Sequence, residues 1–520
     1  MKLLAISLPR HDMSMSYFDG ETLKYIKIER LKEEKRYSCW NYQSDRMNLY
    51  QWKYEAENAF NINVEEVDEI IFDFHLDTIY GNKIPHSLAE VMNGKTSYCK
   101  IPSEHNPFKL FLKNENVYYI SHHYAHALST WMLHPDPDVC ITIDGEGDKR
   151  TWSVYRDNKF VDGGRIEDGS IGGSMAAMAK KFNIQGSFND LAGKLMSFVS
   201  YGKVDQNFVE ILKKYSYRDI DRIFDYELWI NYIGDVLLAE HKMLDWGATV
   251  NYYIGEVLVR MFKDYAKPNE TISYAGGVAQ NIVWNTRLKE QFPKLIIPPH
   301  SSDEGLSLGA IELLRRKNNL PKFKIDKFPY IQKDIAPNTV VSDELITTVA
   351  EYLAQGKIVL WYQDHGEAGP RALGNRSILM DPRIPNGKEK INRVKNRENF
   401  RPFGASVLKE HASTISTAQW DDDFMLYTTK LTDDNLHSIK HVDGSCRLQT
   451  VALDSPSTLR KLLERFYEMT KCPCLLNTSL NIAGKPIAGY PDVALTMLED
   501  SNHIDIAVIG DKLYKRNNLL

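Results

Sequence analysis

Two histidines four residues apart, His122 and His126 in Ser-His-His-Tyr-Ala-His-Ala, are followed closely by an apolar strand that ends in Asp144-Gly-Glu-Gly-Asp148. No other stretch narrows the fold as far. On a helix, positions i and i+4 share one face, so both imidazoles can turn neutral nitrogens toward one transition metal. A carboxylate at the strand end, Asp144, would be a third ligand. A His/His/Asp set without thiolates suits zinc, manganese or non-haem iron and leaves positions open for a substrate oxygen. The spacing alone also fits a capping histidine or one satisfied in the core. What favours the metal is the glycine-bracketed acidic turn, together with two further islands downstream.

A chain of 520 residues, 43% hydrophobic and 26% charged, has ordinary globular composition and room for roughly two to four domains. The formal charge of −5 gives no electrostatic case for a nucleic-acid binder held by phosphate contacts. Six scattered cysteines are too few for a disulfide framework and read as reduced thiols, Cys472-Pro-Cys474 included. The opening apolar run stops at Pro9, short of a secretion signal. No stretch approaches the roughly 18 consecutive apolar residues of a membrane span. The expectation is a cytoplasmic protein with no membrane partner.

Three blocks separate along the chain. From Met1 to about Val161, short apolar runs alternate with helical stretches, as in a mixed α/β domain, and Asp19-Gly20 is a hairpin signal. From about Asp162 to Leu320 the pattern is mostly helical, as in Val236 to Tyr265, before strand-like Thr271 to Tyr274. Residues 321–339, with Pro321, Pro329 and Pro337, read as a linker. A last α/β block follows from 340 to 520, opening with a helix over Leu345 to Gln355 and a strand over Lys357 to Trp361. No internal repeat of fixed period is visible. Asp421-Asp422-Asp423 reads as a solvated charge run.

Glycine turns and arginines carry the phosphate chemistry. In Asp144-Gly145-Glu146-Gly147-Asp148, the glycines let backbone N–H groups approach an anion or metal. Gly276-Gly277 leads into a helix with Asn281, where a helix N-terminus can meet a phosphate. Ser301-Ser302-Asp303-Glu304-Gly305 is a third such turn. Each is weak alone; three at strand ends, each with an acid or amide, suit a cleft for a nucleotide and a metal. His11-Asp12 sits in the bend of the first hairpin, where a plain turn aspartate beside a surface histidine is the competing reading. Gly366-Glu-Ala-Gly-Pro-Arg371-Ala-Leu-Gly-Asn-Arg376-Ser places two guanidiniums five apart in a glycine-rich loop, and Arg401-Pro-Phe-Gly adds a third. Arginine forks bind phosphate or carboxyl oxygens in bidentate fashion. Lys390, Arg393, Arg397 and Arg447 add local positive charge. The competing reading is a solvated basic face.

Together with His11-Asp12 and Ser14, Glu29-Arg30, His122 through Ala127, Asp144-Gly145, Gly276 through Asn281, Asp303-Glu304-Gly305, Gly369 through Ser377, Arg401-Pro-Phe, Asp443 through Arg447 and Leu476-Asn-Thr-Ser-Leu-Asn481, the chain resembles the O-carbamoyltransferases of the nodulation-factor, cephem and aminoglycoside type. The likeness runs through nearly the whole chain in order. Ser445-Cys446 and Leu480 depart from it, where Thr-Ala and Phe are expected.

The resemblance implies an α/β enzyme in two parts. Residues 1–320 would take the actin/Hsp70-like ATPase fold, in two lobes of about 1–161 and 162–320. Residues 340–520 would resemble the threonylcarbamoyl-adenylate synthases. The C-terminal domain would join carbamoyl phosphate to ATP as carbamoyl-adenylate, with Mg²⁺ accompanying the ATP. The N-terminal domain would then pass the carbamoyl group to an acceptor hydroxyl. By the same resemblance His122, His126, Asp144 and Asp303 would ligate a divalent metal, iron(II) first, with manganese or zinc next. Gly145, Gly147, Gly276, Gly277 and Asn281 would hold the adenylate. Arg371, Arg376, Lys390, Arg401 and Arg447 would hold carbamoyl phosphate and ATP, with Asn477 and Asn481 nearby. His11, with Asp12, is the candidate general base.

The implied acceptor is a small-molecule alcohol, and an alcohol on a modified nucleobase stays among the candidates. A homodimer is compatible with all of this. Rival readings are a threonylcarbamoyl- or N-carbamoyl-type transferase acting on tRNA or protein, a metallopeptidase, and a non-catalytic nucleotide-binding regulator. The peptidase lacks the Glu of His-Glu-x-x-His. The acidic balance disfavours tRNA, and the full set of arginines and histidines disfavours the regulator.

Overall fold

Six consecutive buried residues, Leu3–Leu8, form the first strand (β1) of the computed structural model, which describes residues 1–41, 46–48, 50–131 and 136–516. β1 pairs antiparallel with Ser14–Phe18 (β2), and β2 with Leu23–Lys27 (β3). Asp19-Gly20 turns β2 into β3, and the Asp19 carboxylate accepts the N–H groups of Glu21 and Thr22. β2 is a strand the apolar runs do not announce: Ser14 and Ser16 alternate with larger residues, yet all five residues are buried.

The chain forms two compact units, Met1–Val67 with Phe323–Leu520, and Asp68–Lys322. In the second, Glu69–Phe74 (β4) runs parallel to Val117–Ile120 (β6), and Tyr98–Lys100 (β5) runs antiparallel to β6. His122–Trp131 is a helix (α1), as the histidine spacing predicts. Val139–Gly147 (β7), Arg150–Arg156 (β8) and Lys159–Arg165 (β9) form an antiparallel meander. The turn between β7 and β8 falls on Asp148 and Lys149, with φ of 51° and 61°, so the glycines before it belong to the strand. The helical stretch expected over Val236 to Tyr265 is two helices that break at Lys242, Val236–His241 and Met243–Tyr265 (α2). Ile272–Ala275 (β10) then lies parallel to β7, and Leu295–Ile296 (β11) parallel to β10. The sheet order is β9-β8-β7-β10-β11. The same succession, an antiparallel meander and later a parallel pair, appears earlier in the chain as β1-β2-β3 and β4 with β6. It is a repeat of topology, not of residues.

Between β10 and β11 runs Ile282–Gln291 (α3), and after β11 comes Leu306–Lys317 (α4). α4 packs on α1 so closely that a Cβ at Gly309 would lie 1.8 Å from the Ala125 carbonyl oxygen. Only glycine permits that approach.

The first unit continues with Asp343–Ala354 (α5), Val359–Tyr362 (β12), Arg376–Met380 (β13), Gly404–Leu408 (β14), Thr429–Lys430 (β15), Ser445–Val451 (β16), Leu459–Thr470 (α6), Cys474–Ser479 (β17), Ile506–Ile509 (β18) and Lys512–Lys515 (β19). These strands make one mixed sheet, β15-β16-β14-β17-β13-β12-β18-β19. α5 and α6 bury apolar faces (Ile346, Val349 and Leu353; Leu459, Leu462, Leu463 and Phe466) in its core. Tyr330, Gln332 and Asp334, inside the segment read as a linker, are buried. The charge run at Asp421–Asp423 also departs from its reading as a solvated loop. Asp422 is 8% exposed, and its carboxylate accepts N–H groups of Phe424, Leu426 and Tyr427 at 3.2, 2.9 and 2.8 Å. Burial outweighs those donors and raises its carboxyl to about 7. Among the described residues, no helix is long and apolar enough to cross a membrane.

Candidate metal centre and anion cluster

Four side chains from distant parts of the second unit meet at one point. His122 and His126 come from the first turns of α1, Asp144 from β7 and Asp303 from the turn that opens α4. Their ligand atoms all lie within 4.8 Å of one another. His126 Nε2 is 3.0 Å from Asp144 Oδ2 and 3.6 Å from Asp303 Oδ1; His122 Nε2 is 3.2 and 3.8 Å from the same atoms. The two Nε2 atoms are 3.2 Å apart. Ligand atoms each about 2.0–2.2 Å from one ion sit roughly 3–4 Å from each other, the range of the 3.0–3.8 Å separations here, so the set can hold a divalent cation. Two largely enclosed carboxylates facing two imidazoles also offer negative charge to a cation. Burial alone would lower the His122 imidazole, but Asp73, Asp144 and Asp303 reverse this and hold it well above its ordinary value. Burial would likewise raise the Asp144 carboxyl, and both histidines hold it well below.

The surroundings fix these rings. The His122 backbone N–H donates to Asp148 Oδ2 at 2.8 Å, and the other oxygen of Asp148 accepts the Tyr119 hydroxyl at 2.6 Å. Asp148 thus caps α1 from the hairpin and ties the ligand helix to the ligand strand. Asp73 stands behind the ring, 3.6 Å from His122 Nδ1. A Cβ at Gly147 would lie 2.1 Å from His122 Cδ2, and one at Gly277 would lie 2.8 Å from Asp144 Oδ1. Gly276, at φ 96°, would press a Cβ to 2.2 Å from the Ile143 carbonyl oxygen. These glycines make room for ligands and backbone; around Gly145 the space is open. Asn281 caps α3, accepting the N–H groups of Val283 and Trp284.

In the first unit, His11 Nδ1 lies 2.8 Å from Asp12 Oδ2. Asp12 has φ 61° and is 3% exposed; it also receives Lys27 Nζ and Arg36 Nη1, each at 2.8 Å. Burial would raise its carboxyl, but Lys27, His11 and Arg36 hold it well below the ordinary range. An imidazole held through Nδ1 presents Nε2 as its basic nitrogen.

A cationic cluster occupies the same unit. Arg397, Arg401, Arg447 and Lys395 stand near enough to depress one another. Burial, then Arg397, Arg401 and Lys35, hold the Lys395 ammonium well below its ordinary value. Burial, then Arg401 and Arg447, take Arg397 down to about 8. A guanidinium stays charged in proteins, so that depression reflects burial first and then the like charge of Arg401 and Arg447, a setting an anion would relieve. Lys395 Nζ donates to Asn481 Oδ1 at 2.7 Å and to Ser479 Oγ at 3.1 Å. Asn477 Nδ2 donates to Ser406 Oγ at 2.8 Å, while its Oδ1 is buried without a partner. Arg371 is half-buried in the loop before β13, and Lys390 is exposed on the helix that leads to Lys395. Arg376 is differently placed. Fully buried, it pairs with Asp334 at 3.0 Å, donates to the carbonyls of Gln363, Asp364 and Asn375, and lies 3.6 Å over the Tyr362 ring. Its terminal nitrogens hold the glycine loop. The sequence reading does not single out Lys395, although Lys395-Asn-Arg397, two cations two apart at a helix end, is a signal that could have found it.

The family described as carbamoyltransferase N-terminus matches residues 2–311, and the carbamoyltransferase C-terminus matches residues 350–516. Nodulation protein NolNO of Sinorhizobium fredii is 28% identical over 454 residues, covering 77% of this chain and 64% of its own length. Nodulation protein U of Rhizobium tropici is 30% identical over 335 residues, 58% of each chain. The chain therefore spans about three fifths of the length of these relatives. Among solved structures, HypF of T. kodakarensis matches 62% of this chain and 48% of its own, at 14% identity and a TM-score of 0.37. With its N-terminal and C-terminal parts both matched, the chain belongs to the carbamoyltransferase family.

Proposed function

We propose that the protein is an ATP-dependent O-carbamoyltransferase that works in two steps, activation at the cationic cluster and then transfer of the carbamoyl group to an acceptor hydroxyl. The observation that carries this is the pairing, in one chain of this family, of a cluster of like charge, Lys395, Arg397, Arg401 and Arg447, with a His/His/Asp/Asp set whose ligand atoms lie within 4.8 Å of one another. In this reading residues 1–320 act as the actin/Hsp70-like part and 340–520 as the adenylate-forming part.

The arginines bind the phosphates of carbamoyl phosphate and ATP in bidentate fashion, with Asn477 and Asn481 fixing the floor of the site. Carbamoyl phosphate and ATP give carbamoyl-adenylate, and the carbamoyl group then passes to an alcohol. A divalent cation, iron(II) first, held by His122, His126, Asp144 and Asp303 would supply positive charge to the adenylate phosphate. His11, oriented by Asp12, takes the proton from the acceptor hydroxyl through Nε2. The rest is positioning, which removes much of the barrier.

Incubation of the protein with carbamoyl phosphate, ATP and a panel of alcohols tests this. AMP and pyrophosphate should form, with a mass gain of one carbamoyl group on the acceptor. ADP as the stoichiometric product would refute attack at the α-phosphorus and point to a sugar-kinase-like reaction.

A further inference from the structure

Cys472 and Cys474 flank Pro473 at the start of β17, with their sulfurs 4.0 Å apart. Cys472 lines a cavity of 630 Å³ together with Arg383, His411, Tyr467 and Lys471, whereas Cys474 is wholly enclosed. One of the two cysteines therefore borders a cavity and the other does not. The two thiols also differ in acidity. Contact with Cys474 lowers the Cys472 thiol from its ordinary value, and the same contact together with burial raises Cys474 well above. Neither has a role in the proposed chemistry.

We propose that Cys472 and Cys474 form a peroxide-reactive dithiol that closes to an intrachain disulfide. The Cys472 thiolate attacks a hydroperoxide oxygen, giving the sulfenic acid as the O–O bond breaks and the leaving oxygen takes up a proton as alcohol or water. The Cys474 thiol then attacks the sulfenic sulfur; the S–S bond forms, the S–O bond breaks and water leaves. Two thiols and one peroxide become one disulfide, water and the reduced peroxide. Closure brings the sulfurs from 4.0 Å to about 2.05 Å. Movement of that size must be taken up by the backbone around Pro473, whose carbonyl accepts the Leu408 N–H at 3.0 Å, and by β17. The same strand carries Asn477 and Ser479, and Ser479 accepts Lys395 Nζ. Oxidation therefore disturbs the cationic cluster, a consequence that rests on the function proposed above, while disulfide formation itself does not.

The experiment treats the folded full chain with hydrogen peroxide, quenches in acid, alkylates and digests. Because Lys471 precedes Cys472, one tryptic peptide carries both cysteines and no other. It should lose two hydrogens, resist alkylation and recover both thiols in dithiothreitol. Cys474→Ser should stop at the sulfenic acid, or pass to the sulfinic acid, on Cys472. Wild-type protein in which Cys472 over-oxidises while Cys474 still alkylates, or in which other cysteines react first, would overturn the proposal. Carbamoyl-phosphate-dependent ATP–pyrophosphate exchange should fall about tenfold or more on oxidation, the cost of displacing positioning groups by an ångström or less. It should be unaffected by peroxide in Cys472→Ser. A disulfide that forms with exchange unchanged would refute the coupling, and absence of exchange in reduced protein would refute the proposed function while the mass shift still decides the dithiol.

Discussion

Substituting Gly147, which is not a ligand, by alanine should remove the metal. The new Cβ would stand 2.1 Å from His122 Cδ2. Carbon atoms rest at about 3.5–4.0 Å, so the ring must retreat by more than about 1 Å. It has little room: its backbone N–H is bound to Asp148, and Asp73 stands behind it. Metal–ligand distances hold within roughly 0.2 Å, so His122 leaves the coordination set. Overpacking itself costs about 1–3 kcal/mol. If a loss of about 100-fold in affinity follows, metal at 100 times the wild-type Kd stabilises wild-type protein by about 2.7 kcal/mol and the variant by only about 0.4 kcal/mol. The assay is thermal unfolding of chelator-stripped protein with and without Mn²⁺ or anaerobic Fe²⁺, alongside elemental analysis. Gly145→Ala is the control: a Cβ there meets nothing within 4 Å, so it should keep the full metal shift. A Gly147→Ala protein with wild-type metal content and an undiminished shift would refute the reasoning.

Other outcomes follow from the same geometry. His126→Ala or Asp303→Ala should lose bound metal and carbamoyl transfer yet retain pyrophosphate exchange, whereas Arg447→Ala or Arg397→Ala should lose exchange; the reverse pattern would exchange the roles of the two sites. Arg376→Ala should act on folding, lowering stability by about 3–5 kcal/mol in denaturant melts because the buried Asp334 loses its guanidinium partner; a well-folded variant that lacks only exchange would make Arg376 a ligand-binding residue. His11→Ala should slow transfer by roughly 10²-fold or more with exchange intact. For Asp422, a carboxyl raised to about 7 in the fold against an ordinary value near 3.9 means folding takes up a proton between those pH values. Stability should therefore fall as pH rises from about 4 to about 7, and Asp422→Asn, though it sets an amide against the Tyr427 N–H, should flatten that slope in urea midpoints; equal slopes would contradict it.

The metal set shows how far sequence reaches. His122 and His126 are legible because one helix turn fixes their relation, and the apolar run into Asp144 places that carboxylate at a strand end. Nothing local links Asp303 to them; it enters through resemblance, and only the packing of α4 on α1 through Gly309 brings it into contact. Arg371 and Arg376, five apart in one loop, look equivalent as residues. Burial and the Asp334 partner separate them, and both depend on residues far away in sequence. Asp422 reads as solvated because charge runs usually are, but a carboxylate that gathers three backbone N–H groups organises a turn from inside. β2 escapes notice because Ser14 and Ser16 interrupt any continuous apolar run, although a buried strand can hold hydroxyl groups small enough to be enclosed.

Building one unit from Met1–Val67 and Phe323–Leu520, around the uninterrupted Asp68–Lys322, also sets an order of events during synthesis. The inner unit is complete as soon as its last residue leaves the ribosome. The opening meander is instead separated from the rest of its own unit by 255 residues, an interval of roughly 13–50 s at about 5–20 residues per second. Throughout that time the C-terminal part of the meander's own unit, Phe323–Leu520, is still missing. Truncation carries the same consequence: a fragment that begins near residue 340 lacks the strands and Arg30, whose guanidinium donates to the Gly369 carbonyl at 2.9 Å and braces the arginine loop. A working separate C-terminal half would therefore need the first 67 residues supplied alongside it.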